Sequence, residues 1–169
     1  NEVILSGGDP LMLNNLKLEN LLNSFSKIKS IKKIRFHTRM PVIIPERLDN
    51  GFIKVLKKFE KRFQLVFVTH TNHPAEWDEK ESQHLKNLLE NVQIFSLSQT
   101  VLLKGVNDSS QTLTKLFEIL TDLGTLPYYL HHPDQVRGGT HFYISIQKDE
   151  KFTTNFEKSS PDGKFLNMF

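Results

Sequence analysis

Apolar residues gather in five short runs rich in β-branched and aromatic side chains: Glu2–Leu5, Lys33–His37, Gln64–Val68, Val92–Ser96 and Pro127–Leu130. Their starts recur every 28 to 35 residues. Between them the apolar positions change to helical spacing, as in Leu18, Leu21, Leu22 and Phe25, or Leu113, Leu116, Phe117 and Leu120. Asp108 or Ser109 can cap the last of these helices, and Gly124 stands where it should stop. Strand followed by helix at this period is the βα unit of a parallel sheet. Right-handed crossovers then leave two architectures, an open doubly wound sheet or a barrel.

Polar residues mass at one end of every run. Val3-Ile4-Leu5 leads into Ser6-Gly7-Gly8-Asp9, and Ile34-Arg35-Phe36 into His37-Thr38-Arg39. Val66-Phe67-Val68 leads into Thr69-His70-Thr71-Asn72-His73, Ile94-Phe95 into Ser98-Gln99, and Tyr128-Tyr129-Leu130 into His131-His132-Pro133-Asp134. In a parallel barrel these C-terminal ends converge on one rim, where barrel enzymes place their chemistry. An open sheet with a switch-point cleft uses the same ends, so the pattern alone does not choose between the two. The stretch Gln147–Phe169 breaks the rhythm and reads as a loose or diverged tail, which leaves 1–146 as the domain.

Composition narrows the function classes. A hydrophobic fraction of 38% and a charged fraction of 24% suit a soluble globular chain. No apolar run approaches the roughly eighteen residues of a membrane span, and no signal peptide is visible. The net charge of +3 gives no concentrated basic stripe for nucleic acid. The lysine and arginine clusters at 27–35 and 54–62 read as solvated faces. With no cysteine there is no disulfide, thiolate-held cluster or thiolate zinc site in this chain, and a cytoplasmic origin is compatible with that. The first residue is Asn1 rather than Met, inside an apolar run, which suggests a true N-terminus upstream.

Several motifs have two readings. Gly7-Gly8-Asp9-Pro10 lets a ligand approach the backbone, or simply makes a tight turn; it matches neither phosphate-loop fingerprint. His70 and His73 could be half of a metal site, with His131, His132 and Asp134 supplying the rest, or they could be ordinary rim and helix-start residues. Arg39 could hold a carboxylate or phosphate through its planar fork, or form a rim salt bridge. Gln99, after an apolar strand, needs a ligand or backbone partner. Asp134 could anchor a substrate ammonium or cap a loop.

Taken in order, these strand ends resemble one family. Ser6-Gly7-Gly8-Asp9-Pro10-Leu11, Arg35…Thr38-Arg39…Pro41-Val42…Pro45-Glu46-Arg47, and Thr69-His70-Thr71-Asn72-His73-Pro74 with Glu76 are similar to the lysine 2,3-aminomutase group of radical S-adenosylmethionine (SAM) enzymes. So are Gln99-Thr100-Val101-Leu102-Leu103 with Gly105-Val106-Asn107-Asp108, and Pro127-Tyr128-Tyr129-Leu130 with Asp134, His141 and Phe142. His37 and the segment 130–139 look closest to the branch that makes (R)-β-lysine for elongation factor P. The resemblance implies an α/β fold, a partial (β/α)6 TIM-like barrel of which this chain supplies about strands two to six. It further implies SAM contacts at Gly7, Gly8, Asp9, His70 and Gln99, and a grip on the ammonium of the substrate lysine at Asp134. The implied cofactors are a [4Fe-4S] cluster, SAM and pyridoxal 5′-phosphate. The implied reaction converts L-α-lysine to β-lysine, which an elongation factor P ligase would then use.

Two family parts are missing from the chain. The Cys-x-x-x-Cys-x-x-Cys loop that holds the cluster is absent. The lysine that holds pyridoxal phosphate has only a faint echo in Pro161-Asp162-Gly163-Lys164, too close to His141-Phe142 for the family pattern. Ser98-Gln99-Thr100 also stands where the family more often has Asn-Gln-Ser. The chain is therefore expected to be an internal fragment, inactive alone. A metal-dependent hydrolase barrel using His70, His73, His131 and Asp134 is the alternative enzyme, and a non-catalytic remnant the alternative without chemistry.

Overall fold

The computed structural model describes residues 1–144 of the 169, so the tail Gln147–Phe169, with Lys164, lies outside the described residues. Five strands form one sheet: β1 (Glu2–Leu5), β2 (Lys33–Thr38), β3 (Gln64–His70), β4 (Ile94–Val101) and β5 (Leu126–His131). They pair in chain order and every pair is parallel. The strand order never reverses. A doubly wound sheet reverses at its switch point, so the order is that of a barrel wall. Right-handed crossovers that always advance in one direction put their helices on one face.

The core lies on that face. Ile34 and Phe36 of β2 and Leu65 and Phe67 of β3 belong to one cluster with helix residues Leu18, Leu22, Phe52, Leu56, Leu85, Leu88, Leu113, Leu116 and Phe117. Those residues come from α1 (Asn15–Ser26), α3 (Asn50–Lys57), α4 (Glu79–Asn91) and α5 (Ser110–Asp122), while the one-turn α2 (Met40–Ile43) follows β2. Strand side chains alternate, so Arg35, His37, Val66, Val68, Phe95 and Leu97 point to the opposite, concave face. Val66 and Val68 are buried yet stand outside the helix-side cluster.

Curvature shows in one contact. The Arg35 guanidinium sits 5.7 Å from the ring centre of Tyr128, on β5. Three strand intervals of about 4.8 Å would hold these residues roughly 14 Å apart in a flat sheet. The wall therefore curls around its concave face, as a partial barrel does.

Local chemistry sets the element ends. Asn14 caps α1 by accepting from Lys17 N at 2.9 Å, Asp49 caps α3 through Phe52 N at 2.7 Å, and Ser109 caps α5 through Thr112 N at 3.1 Å. Gly124, at φ 78°, ends α5 in the left-handed conformation that other residues resist. Strand ends differ from expectation by one residue in β2 and at each end of β5, and by two or more in β3 and β4. Val92 closes α4 by donating to Leu88 O instead of opening a strand. β3 and β4 run on to His70 and Val101, because His70 pairs with Gln99 in register and Thr71 N donates to Gln99 O at 3.0 Å. Among the described residues no helix is long and apolar enough to cross a membrane.

Candidate functional site

The C-terminal ends of β1 to β4 build one open cleft, lined by Gly8, Asp9, His37, Thr38, Arg39, His70 and Gln99. After β1 the chain turns through Gly7 (φ 85°) and Gly8 (φ 60°), and nothing lies within 4 Å of where a Cβ would stand at either. Their backbone is bare toward solvent. Asp9, next in line, is engaged from the other side. Its Oδ1 accepts from Leu11 N at 2.9 Å and from the Thr38 hydroxyl at 2.8 Å, and its Oδ2 accepts from Arg39 N at 2.7 Å. The carboxylate thus fastens the end of β1 to the end of β2, and the glycine backbone is left facing the cleft.

Arg39 resolves into a salt bridge: its Nη2 donates to Glu76 Oε1 at 2.5 Å. The other oxygen of Glu76 accepts from the Thr71 hydroxyl at 2.6 Å and from Asn72 N at 2.7 Å, and the Trp77 indole N–H donates to the same Thr71 hydroxyl at 2.9 Å. Arg39 still lines the cleft, and its Nε is buried without a hydrogen-bond partner.

Two imidazoles face the same space. Burial, followed by the Arg39 charge, pushes the His70 pKa down; burial, followed by the Arg35 charge, does the same to His37. In both rings the shift favours the neutral form. His37 Nδ1 lies 3.1 Å from Gln99 Oε1, while Nε2 of His37 and Nε2 of His70 are buried without a partner. Such orphans are rare in native proteins and call for a ligand or water.

Beneath the rim Asn107, Asn72 and Thr100 form a second, hydrogen-bonded layer. Asn107, fully buried, accepts from Leu103 N at 2.6 Å and donates to the carbonyls of Asn72 at 2.8 Å and Val101 at 2.9 Å. Asn72 Oδ1 accepts from Val101 N at 2.8 Å, and Thr100 donates to Thr71 O at 2.8 Å. These bonds hold the loop after β4 against the end of β3.

The histidines proposed as metal ligands do not converge. His73 turns its Nδ1 to Ala75 N at 3.1 Å and lines a separate groove with Trp77, Gln111 and Lys115. His131 packs beside Tyr129 with ring centres 5.2 Å apart, and His132 meets Tyr143 edge-on at the same separation. Among the described residues no group of three or more His, Cys, Asp or Glu side chains is placed to hold a metal ion. Asp134 is exposed on the loop after β5 and is not among the residues lining the cleft. Sequence reading named five residues of the cleft among its candidates, Gly8, Asp9, Arg39, His70 and Gln99, and passed over His37 and Thr38 as site residues. The missed signal for His37 is its alternation with Ile34 and Phe36, which turns a polar ring inward one tier below the strand end.

No family model matches the chain. It is similar to curated proteins named L-lysine 2,3-aminomutase. One from Buchnera aphidicola is 45% identical over 145 residues, 86% of this chain and 42% of the relative. Another from Haemophilus influenzae is 46% identical over 144 residues, 85% and 42% of the two chains. A third from Escherichia coli is 41% identical over 144 residues, again 85% of this chain and 41% of the relative. The resemblance read from the strand-end motifs is thereby borne out, and the chain spans about two fifths of the length of these relatives.

Proposed function

We propose that this chain is the SAM-binding wall of a radical SAM lysine 2,3-aminomutase, an isomerase that moves the amino group of L-α-lysine within the molecule to give β-lysine. The observation that carries the reading is the cleft itself. Its bare Gly8 backbone, the orphaned nitrogens of His37 and His70, and Gln99 come from the ends of four strands in the order of the family motifs.

The groups present suit SAM. An amino-acid ammonium finds acceptors in the peptide carbonyls of an open glycine turn, and a nucleoside finds donors and acceptors in neutral imidazoles and a carboxamide. Gly7, Gly8, Asp9, His70 and Gln99 would hold it, with Asp9 acting mainly by fixing the turn. SAM, when bound, would supply the hydrogen-abstracting chemistry. The residues present do not fit an iron–sulfur cluster, since the chain has no cysteine, and the cluster is assigned to the rest of the protein. Lys164 lies outside the described residues, so the pyridoxal phosphate of this enzyme class is not assigned to any residue here.

Arg39 is suited to an anionic group of the substrate, because Glu76 fixes its guanidinium while Nε stays unpaired. Asp134 would reach the substrate ammonium from the loop after β5. Residues 1–146 form the barrel domain in this reading, with 147–169 as a tail. The product would pass to an elongation factor P ligase in the cytoplasm.

The test is direct. The full-length gene product, purified without oxygen, should show iron–sulfur absorption, cleave SAM under reduction and convert lysine to β-lysine. A well-folded preparation with neither the absorption nor SAM cleavage would overturn the assignment.

A further inference from the structure

His37 of β2 and Gln99 of β4 meet across β3, the strand between them, at 3.1 Å. Two strand intervals of about 4.8 Å separate their backbones, so the two side chains together bridge roughly 10 Å. Val68, the register partner of His37, lies beneath this bridge and is fully buried, although it stands outside the helix-side core. The pair forms the floor of the cleft.

The chemistry of the pair is directional. A carboxamide oxygen only accepts, so with Oε1 toward His37 the ring must carry its proton on Nδ1. In a neutral ring Nε2 is then an acceptor, and it is buried with no partner. The same bond turns the carboxamide so that its NH2 group is the end left for the cleft. A buried imidazole nitrogen left unpaired is unfavourable, because it has lost water without gaining a donor. His70 Nε2 and Arg39 Nε are orphaned beside the same cleft. Three unpaired buried nitrogens around one opening point to a ligand rather than to a local packing defect.

We propose that His37 is a ligand-contacting, specificity-determining residue of the cleft, which holds Gln99 with its NH2 facing the ligand and accepts a hydrogen bond at Nε2 from a ligand hydroxyl or N–H. This rests on the reading of the cleft as a SAM site, and the ligand class is a nucleoside that offers a donor and an acceptor side by side.

The test is calorimetric titration of the full-length protein, purified without oxygen, with S-adenosylhomocysteine. His37→Phe keeps the ring and removes both nitrogens, and binding should weaken about tenfold to a hundredfold. His37→Asn keeps a donor near the Nδ1 position but has nothing at Nε2; it should bind about fivefold or more weaker than wild type. In a Gln99→Leu background the effect of His37→Phe should shrink, since the carboxamide it orients is gone. Wild-type binding with both His37 variants within twofold of it would overturn the inference and leave the SAM reading standing. A folded wild type that does not bind S-adenosylhomocysteine at all would overturn both. If His37→Phe does not fold, His37→Asn alone decides.

Discussion

Asp9 is the residue whose removal tests the architecture of the rim most sharply. Its carboxylate accepts from Leu11 N, the Thr38 hydroxyl and Arg39 N, and Thr38 is itself buried at 3% exposure. Hydrogen bonds to a charged group contribute about 1.5–3 kcal/mol each, and a buried donor left without a partner costs about 1–3 kcal/mol. Leu11 is itself buried at 1% exposure, so its N–H loses a partner together with the Thr38 hydroxyl and Arg39 N. Asp9→Ala should therefore destabilise the protein by about 4 kcal/mol. For a chain of 169 residues that corresponds to a fall in Tm of roughly 8–16 °C. Asp9→Asn is the finer probe. It preserves volume but puts an NH2 group against one of two backbone N–H donors, and it should lose about 2 kcal/mol. Thermal and urea unfolding of the purified variants check both values. If Asp9→Ala melted within 2 °C of wild type, the carboxylate would not be the clamp between β1 and β2, and a direct ligand contact would have to explain its presence.

Two further outcomes follow from the same geometry. Asn107→Ala removes three hydrogen bonds from a fully buried side chain; it should cost about 2–4 kcal/mol, read by urea unfolding, and a loss under 0.5 kcal/mol would contradict the role given to Asn107 in holding the loop after β4. The pKa values of His37 and His70 are both lowered in the fold, so the unfolded chain binds more protons than the native one just below the ordinary imidazole pKa of about 6.5. Their contribution to stability is thus complete above about pH 6.5 and is lost as pH falls toward the folded values. The urea midpoint should drop between pH 7.5 and 5.5, and a double variant with both histidines replaced by Gln should show a shallower drop; an unchanged slope would refute the lowered pKa of these two half-buried rings.

The parts of this fold that could be read from the chain are those set by nearest neighbours in sequence. The alternation in Ile34-Arg35-Phe36-His37 and the helical stripe Leu113, Leu116, Phe117, Leu120 are local consequences of a period of two and a period of 3.6. They place each residue on a face, and the core follows, as Phe36 and Phe67 do with ring centres 6.4 Å apart. The choice between barrel and open sheet was not local. It depends on strand order and curvature, and here it rests on pairings such as Val3 with Ile34, thirty-one residues on, and on Arg35 reaching Tyr128.

The site divides along the same line. Gly7, Gly8 and His70 are visible because each departs from what its own strand or turn requires. The work of Asp9 and Glu76 is not visible, because a carboxylate has no sequence mark that distinguishes binding a ligand from binding the next strand. Only the partner decides, and for Asp9 the partners are Thr38 and Arg39, while for Glu76 they are Arg39, Thr71 and Asn72. Arg39 is thereby held at both ends, its backbone by Asp9 and its side chain by Glu76. The cleft then owes its geometry to two acidic residues that use their charge within the wall, and this leaves neutral imidazoles, a carboxamide and open peptide groups to meet the ligand. A surface of that kind suits a polar ligand bound through many directed, individually modest contacts, and it explains why His37, which looks like an ordinary strand residue in the chain, becomes central once β2, β3 and β4 are laid side by side.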